Sequence, residues 1–570
     1  MSRTQFEFLP NEIFIQCFGY VNAIELFYAF DKLNYRFYHL IRSIQLHLNF
    51  HNVQKSIFDR FCKKMLSEPL IQKQISSLLL SEKNAPGQIE RFLSLFSLNQ
   101  FSHLRSLTMT QVELKYISKL ESMASTLSTL ESFHLFDSPD IEYRDFISIL
   151  TSKVRIVSVD TLEFLPHWIH LYPTVRRLTL LSSEMFDLCH LMGEMPMLEY
   201  LHIKHCQYMF KTYRRQAYYI PCYAAHLKQL IIDQMDFRFD ILEMFLRGTP
   251  HLRILTICAD GSRDMVNAIQ WEDLISTSLH DLKKFNFRFG YDDDDIENNF
   301  ASRFQEFQTD FWRKQHQWYT DYLCTRYSKI IYTTSYRSLI YQLRILHNED
   351  IYMNSCRFDN LTELILYSKV QAQQSRSYFV KITSFELENS SLRTNQIDIL
   401  TKMISLFDLK EFKIPSRCEL ESSSVLLHIL KQAPQLSSIT MDQNMLISFL
   451  NDHELCKYLK KTIQTLNLSY DTDRSPKAFD NYGELRLFCK TFSNLKNLRC
   501  YVDKKTEFMF IINELSQLAY LTAFVKIIEN RKKVTSWIDI ELKKLNFNYI
   551  IEKSGWFRDE NRVKVHIWMG

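Results

Sequence analysis

The side chains equipped for chemistry are few, and their spacing suits none of it well. His47 and His51 stand four apart in LHLNFH, where alternation predicts a strand whose rise would hold them about 13 Å apart, too far to share a metal. His202, His205 and Cys206 cluster, but His202 is expected on an exposed strand face and the other two in the turn beyond. Solvation or partner contact accounts for them better than ligation or nucleophilic catalysis. Four aspartates at 292–295 lack the glycine and distal glutamate of a calcium loop and read as a solvated loop before a helix. Tyr213, Arg214, Arg215, Tyr218 and Tyr219 could stack on single-stranded RNA, although such a run alone is more often a loop. The 12 cysteines form no CxxC pair and the 9 glycines no GxG, so neither a zinc framework nor a phosphate cradle is present. No catalytic group, metal or cofactor is expected, and the chain reads as a non-enzyme.

What positions these residues is a repeat. The chain has 570 residues, too many for one ordinary core of roughly 100–200, and 46% of them are hydrophobic against 24% charged. One pattern recurs: apolar, two variable, apolar, one variable, apolar. It runs through Leu104, Leu107, Met109, then Leu130, Phe133, Leu135, then Val154, Val157, Val159, and continues with middle members Leu178, Leu201, Leu230, Leu255 and Phe285. After a gap the middle members are Leu364, Phe385, Phe412, Ile439, Leu466 and Leu498. Weaker copies are read at Ile75, Leu78, Leu80 and at Leu542, Leu545, Phe547. Successive copies lie about 20–30 residues apart, a strand followed by a helix each time.

The pattern resembles leucine-rich repeats over roughly residues 70 to 550. The Asn or Cys that the family places three residues after the last apolar position stands only at Cys206 and Asn444. The resemblance implies an α/β fold, an irregular solenoid of parallel strands with helices on its convex side. A helical insertion is read at 290–350, with Phe300, Phe304, Phe307 and Phe311 as a helical stripe belonging to a core.

Ahead of the repeats lies FLPNEIFIQCFGYVNAIELFYAFDKLNYRFYHLI. Pro10 has no N–H to lose at a helix start, Gly19 and Asn22 end a first helix, and two short helices follow. Residues 8–41 resemble the F-box, the module through which substrate receptors join SCF-type ubiquitin ligases. The resemblance implies that Leu9, Pro10, Glu12, Ile13, Phe18, Leu26, Leu33 and Phe37 bind a Skp-family adaptor, which in turn carries a cullin. The expected division is 1–48 F-box, 49–289 first half of the solenoid, 290–350 insertion and 351–570 second half.

A formal net charge of +4 supplies no global field toward nucleic acid or anionic lipid. The N-terminus has no apolar signal-type stretch, and no run approaches the ~18 apolar residues of a membrane span. A protein target and a cytoplasmic or nuclear location are expected, with no nucleic acid and no membrane. The side chains between the apolar pairs should face that target: Arg177, Tyr200, His202, Lys204, Lys284, Asn286 and Arg288 first, then Glu363, Tyr367, Glu386 and Glu388. They predict a concave face that is basic in its first half and acidic in its second. The competing reading is a scaffold whose helical segment only caps the repeats.

Overall fold

The computed structural model describes residues 6–83, 85–124, 127–138, 153–161, 174–207, 223–292, 300–324, 328–334, 340–344, 352–353, 362–367, 381–388, 391–393, 397, 400–401, 404–415, 418–468, 479, 481–527, 531–545, 547–552 and 562–569. They fall in two compact units, one of residues 1–259 with 270–285, the other of 260–269 with 286–570. Among the described residues no helix is long and apolar enough to cross a membrane.

The first unit opens with three helices, α1 (Asn11–Phe18), α2 (Ala23–Phe30) and α3 (Tyr35–Ser43). Parallel strands follow: β1 (Leu46–Asn49), β2 (Ile75–Ser81), β3 (Ser106–Thr110), β4 (Ser132–Phe136), β5 (Ile156–Val159), β6 (Arg177–Glu184), β7 (Tyr200–Gln207), β8 (Gln229–Met235) and β9 (Ile254–Asp260). The middle apolar positions pair straight across the ladder, Leu78 to Leu107, Phe133, Val157, Leu178, Leu201, Leu230 and Leu255. Each is buried, and burying a Leu or Phe side chain is worth about 1.5–3 kcal/mol. A parallel pair needs a crossover, and helices such as Phe239–Arg247 supply it while burying Leu242, Phe245 and Leu246.

The second unit begins with an antiparallel block, β10 (Lys284–Asp292, from Asn286 on), β11 (Thr320–Cys324), β12 (Ser328–Thr333) and β14 (Tyr352–Met353), in the order β10, β12, β11, β14. A parallel ladder follows, built from β13 (Ile340–Arg344), β15 (Glu363–Tyr367), β16 (Ser384–Glu388), β18 (Glu411–Lys413), β20 (Ser438–Thr440), β21 (Thr465–Asn467), β22 (Asn497–Val502) and β23 (Tyr520–Lys526). A side pair joins β17 (Ser391–Leu392) to β19 (Glu419–Leu420). Leu364, Phe385, Phe412, Ile439, Leu466, Leu498 and Leu521 again share one register. The ladder ends by turning back: β25 (Arg562–Trp568) pairs antiparallel with β23, and β24 (Asn548–Glu552) with β25.

Three expectations change. The repeat read at Leu542, Leu545 and Phe547 is no strand: Leu542 is buried in the helix Arg531–Lys544 and exposed Leu545 follows it. A spacing of three is helical as well as repeat-like. The strand that takes its place is β23, from Leu518, Leu521 and Ala523. Among its described residues the insertion is helical at Phe300–Glu306 and in a π-turn at Phe311–Gln315, and it also holds the antiparallel strands β11 and β12. Phe304, Phe307 and Phe311 are buried there, so the aromatic stripe is core. His205 and Cys206 lie within β7 and not in a turn, with Cys206 buried.

The inner polar residue of the family pattern is also replaced. Asn444 is exposed on the helix Gln443–Phe449, and its neighbour Gln443 is fully buried. Gln443 Oε1 accepts from Tyr501 N–H at 3.0 Å while its Nε2 donates to Tyr501 O at 3.2 Å. Gln88 does the same in the first unit, accepting from Ser81 N–H at 3.0 Å and donating to Phe50 O at 3.1 Å. Buried backbone groups must be paired, and two glutamines reached from helices complete the strand ends.

Candidate adaptor and partner surfaces

The three N-terminal helices have a closed core of their own. Asn22 and Asn34 cap α2 and α3, each accepting from a backbone N–H of the first turn. Phe14, Phe18, Leu26 and Phe37 are buried, with the Phe14 and Phe37 rings edge to face at 5.0 Å. Arg36 pins the leading segment from α3: Nε donates to Asn11 Oδ1 at 2.7 Å, Nη2 to Leu9 O at 2.5 Å and Nη1 to Glu7 O, with the guanidinium over the Phe14 ring. Phe18, Leu26 and Phe37 therefore hold the head together and offer no surface, a correction to their expected role as anchors. Pro10, Glu12, Ile13 and Leu33 are exposed, and Leu9 is half-buried.

The head is fastened to the first repeat. Asn22 Nδ2 donates to Asn49 O at 2.7 Å, and Asn49 N–H returns the bond to Asn22 Oδ1 at 3.1 Å. Asp31, nearly buried, meets Arg42 at 2.5 Å and Lys64 at 2.7 Å, and both cations also reach Glu68. Burial alone would push the Asp31 carboxyl up, but the hydrogen bonds from Lys64 and Arg42 outweigh it and hold the group below its ordinary range.

On the face of the first ladder away from the helices, the Arg177 guanidinium lies 4.4 Å from the Tyr200 ring centroid, and His202 Nε2 is 2.8 Å from Asp233 Oδ2. His202 thus has Asp233 as an ion-pair or hydrogen-bond partner. His47 is exposed on β1, and His51 Nδ1 meets Ser81 Oγ at 3.1 Å. Lys204 and Lys284 are exposed. In the second unit Arg288 is buried against Asp260 at 2.5 Å, so it cannot serve a target as expected; Asn286 beside it is half-buried. Glu363 and Glu386 are half-buried, and Lys413 sits among them, 3.6 Å from Glu363 and 3.3 Å from Glu411. Tyr367 and Glu388 belong to β15 and β16, their side chains lying outside the described residues, as do the aspartates at 293–295 and the basic-aromatic run at 213–219. In each unit the expected charge therefore comes with its counter-charge: Asp233 in the first, and in the second Asp260 beside Arg288 and Lys413 among the carboxylates.

A second row was not anticipated. The residue directly after each repeat's first apolar position forms the leading rim of the strands. In the first unit Arg155 N–H donates to Glu131 O, Arg176 to Arg155 O, Glu199 to Arg176 O, Lys228 to Glu199 O and Arg253 to Lys228 O, all at 2.8–2.9 Å. Arg105 precedes this chain of bonds, and Lys283 closes it on Arg253 O. Adjacent Arg177 and Lys284 extend the basic row. The corresponding rim of the second unit is Thr362, Thr383, Lys410, Ser437, Gln464, Lys496 and Ala519, linked in the same way. The signal lay in the sequence at one fixed step past each leading leucine.

The architecture is that of an α/β repeat protein with parallel ladders and one strand per repeat. No family model matches the chain, and no curated protein does. Among solved structures, the crystal structure of the Rad7 and Elc1 complex in yeast matches with 9% identity and a TM-score of 0.27, over 84% of this chain and 89% of that one. A likeness at that score supports no inference about this chain.

Proposed function

We propose that the chain is a non-catalytic substrate receptor of an SCF-type ubiquitin ligase, with the N-terminal helices as an F-box that docks on a Skp-family adaptor and through it a cullin. One observation carries this reading. Ten of the nineteen large hydrophobic side chains exposed among the described residues lie between Phe8 and Leu70, although the helices there already have a packed core. Phe8, Ile13, Tyr20, Tyr28, Leu33 and Tyr35 remain outside it, and exposed apolar side chains in that number suit a protein interface. The repeats then hold a protein target while other subunits supply the chemistry.

The test is co-purification with adaptor and cullin. Ile13→Asp with Leu33→Asp should abolish adaptor capture, since anchors at such an interface are each worth about 2 kcal/mol or more. The circular dichroism should stay unchanged because neither side chain is core. Undiminished capture by a folded double variant would leave the head as a cap and the protein as a scaffold.

A further inference from the structure

We infer that the leading rim of the first unit's ladder is a docking strip for an acidic polypeptide. The rim carries Arg155, Arg176, Lys228, Arg253 and Lys283 on neighbouring strands, all exposed, with Arg105 at one end and Arg177 and Lys284 beside the row. Parallel strands lie about 4.8 Å apart, so the seven steps from Arg105 to Lys283 span about 34 Å. Neighbouring charges fall within one Debye length, about 8–10 Å, and their fields add.

Among the described residues, Glu131 and Glu199 stand in the row with these eight cations, and Asp281 and Asp233 lie beside it. That leaves a local excess of four, as large as the net charge of the entire chain. Like charges on adjacent strands destabilise a sheet; the row nonetheless sets Arg155 beside Arg176 and Arg253 beside Lys283. A complementary partner would relieve that repulsion.

The embedded acids choose between partners. Glu199 reaches Arg176 at 3.4 Å and Lys228 at 3.3 Å, and Asp281 lies 2.9 Å from His251. Carboxylates set within the row oppose an evenly charged phosphate backbone, whereas a protein surface can place a donor opposite each one. The partner is therefore an acidic protein segment, which under the receptor reading would be the target.

The experiment follows binding of a labelled poly-glutamate peptide and of a duplex oligonucleotide to the full chain by fluorescence anisotropy, with no adaptor present. Changing Arg155, Arg176, Arg253 and Lys283 to Gln should weaken peptide binding about tenfold at low salt and flatten its salt dependence. Lys410→Gln with Lys496→Gln on the other rim should change neither. Glu131→Gln with Glu199→Gln should strengthen oligonucleotide binding more than peptide binding. An unaffected peptide in the quadruple variant overturns the proposal. So does an oligonucleotide that binds the wild type more tightly than the peptide at ~0.15 M salt, which would assign the strip to nucleic acid. Because adaptor capture is read separately, failure here leaves the receptor reading standing, and the converse holds.

Discussion

The two rims are built alike and decorated differently. In both units a rim carbonyl followed by a parallel strand accepts the first two N–H groups of that strand, as Arg105 O does from Glu131 and Ser132 and Lys410 O does from Ser437 and Ser438. The inward leucines and phenylalanines are interchangeable in kind. Yet one rim is dominated by arginine and lysine and the other by threonine, serine and glutamine. The ladder is thus specified by what points inward, and the rim is left free for chemistry that the fold does not require.

The strongest way to break this comparison is to charge the core of one unit. Leu201→Asp and Leu466→Asp each bury an unpaired carboxylate and should cost several kcal/mol, with hydrogen exchange protection collapsing in the unit that carries the substitution. Loss of protection spreading equally through both would show that they are not separate bodies. A smaller effect tests the equivalence of the glutamines. Gln443→Leu takes the partner from the Tyr501 N–H and carbonyl, and Gln88→Leu takes it from the Ser81 N–H while Phe50 O keeps its bond from Val53 N–H; each should lower stability by about 1–3 kcal/mol in urea titrations. An unchanged midpoint in either would remove that glutamine's structural role.

Asp31→Asn probes the ion network beside the head, at about 2 kcal/mol after allowing for the partly exposed cations. The Asp31 carboxyl is held below its ordinary value of 3.8, so its contribution is present above that pH and is lost as pH falls through the lower folded value. The variant should therefore lose the steepest part of the acid limb in a melting series. A last comparison is at Glu82, whose carboxylate accepts from Gly87 N–H at 2.5 Å and from Ile89 N–H at 2.8 Å. Burial pushes it up from 4.5 to about 7, against the pull of those two donors. Its contribution is complete below pH 4.5 and declines as pH rises toward about 7. Glu82→Gln should flatten that interval, and a wild type already flat there would show the group ionised throughout.

Much of the ladder was legible because strand alternation and a repeated leucine leave a signature that outlasts sequence variation: Leu107, Leu201 and Leu466 were readable by spacing alone. Alanine hid β23, since Ala523 gives too little apolar signal to complete the triplet. Helical spacing mimicked a repeat at Leu542 and Leu545. In the head, family positions marked Phe18, Leu26 and Phe37 without telling core from contact, because a buried phenylalanine and an interface phenylalanine look alike until the neighbouring helices are placed. The rim was missed for a different reason. Surface charges have no hydrophobic period of their own, and they become a row only after the strands are laid side by side.

The doubled hydrogen bonding at such a rim carbonyl has a consequence for how such a chain can change over time. It fixes the main chain at that position through groups that every residue but proline carries, so most substitutions there leave the ladder bonds and the core intact. The rim is a line of sites at which the fold tolerates mutation, and a lineage of such proteins can rewrite what it attracts one residue per repeat while inheriting the same scaffold.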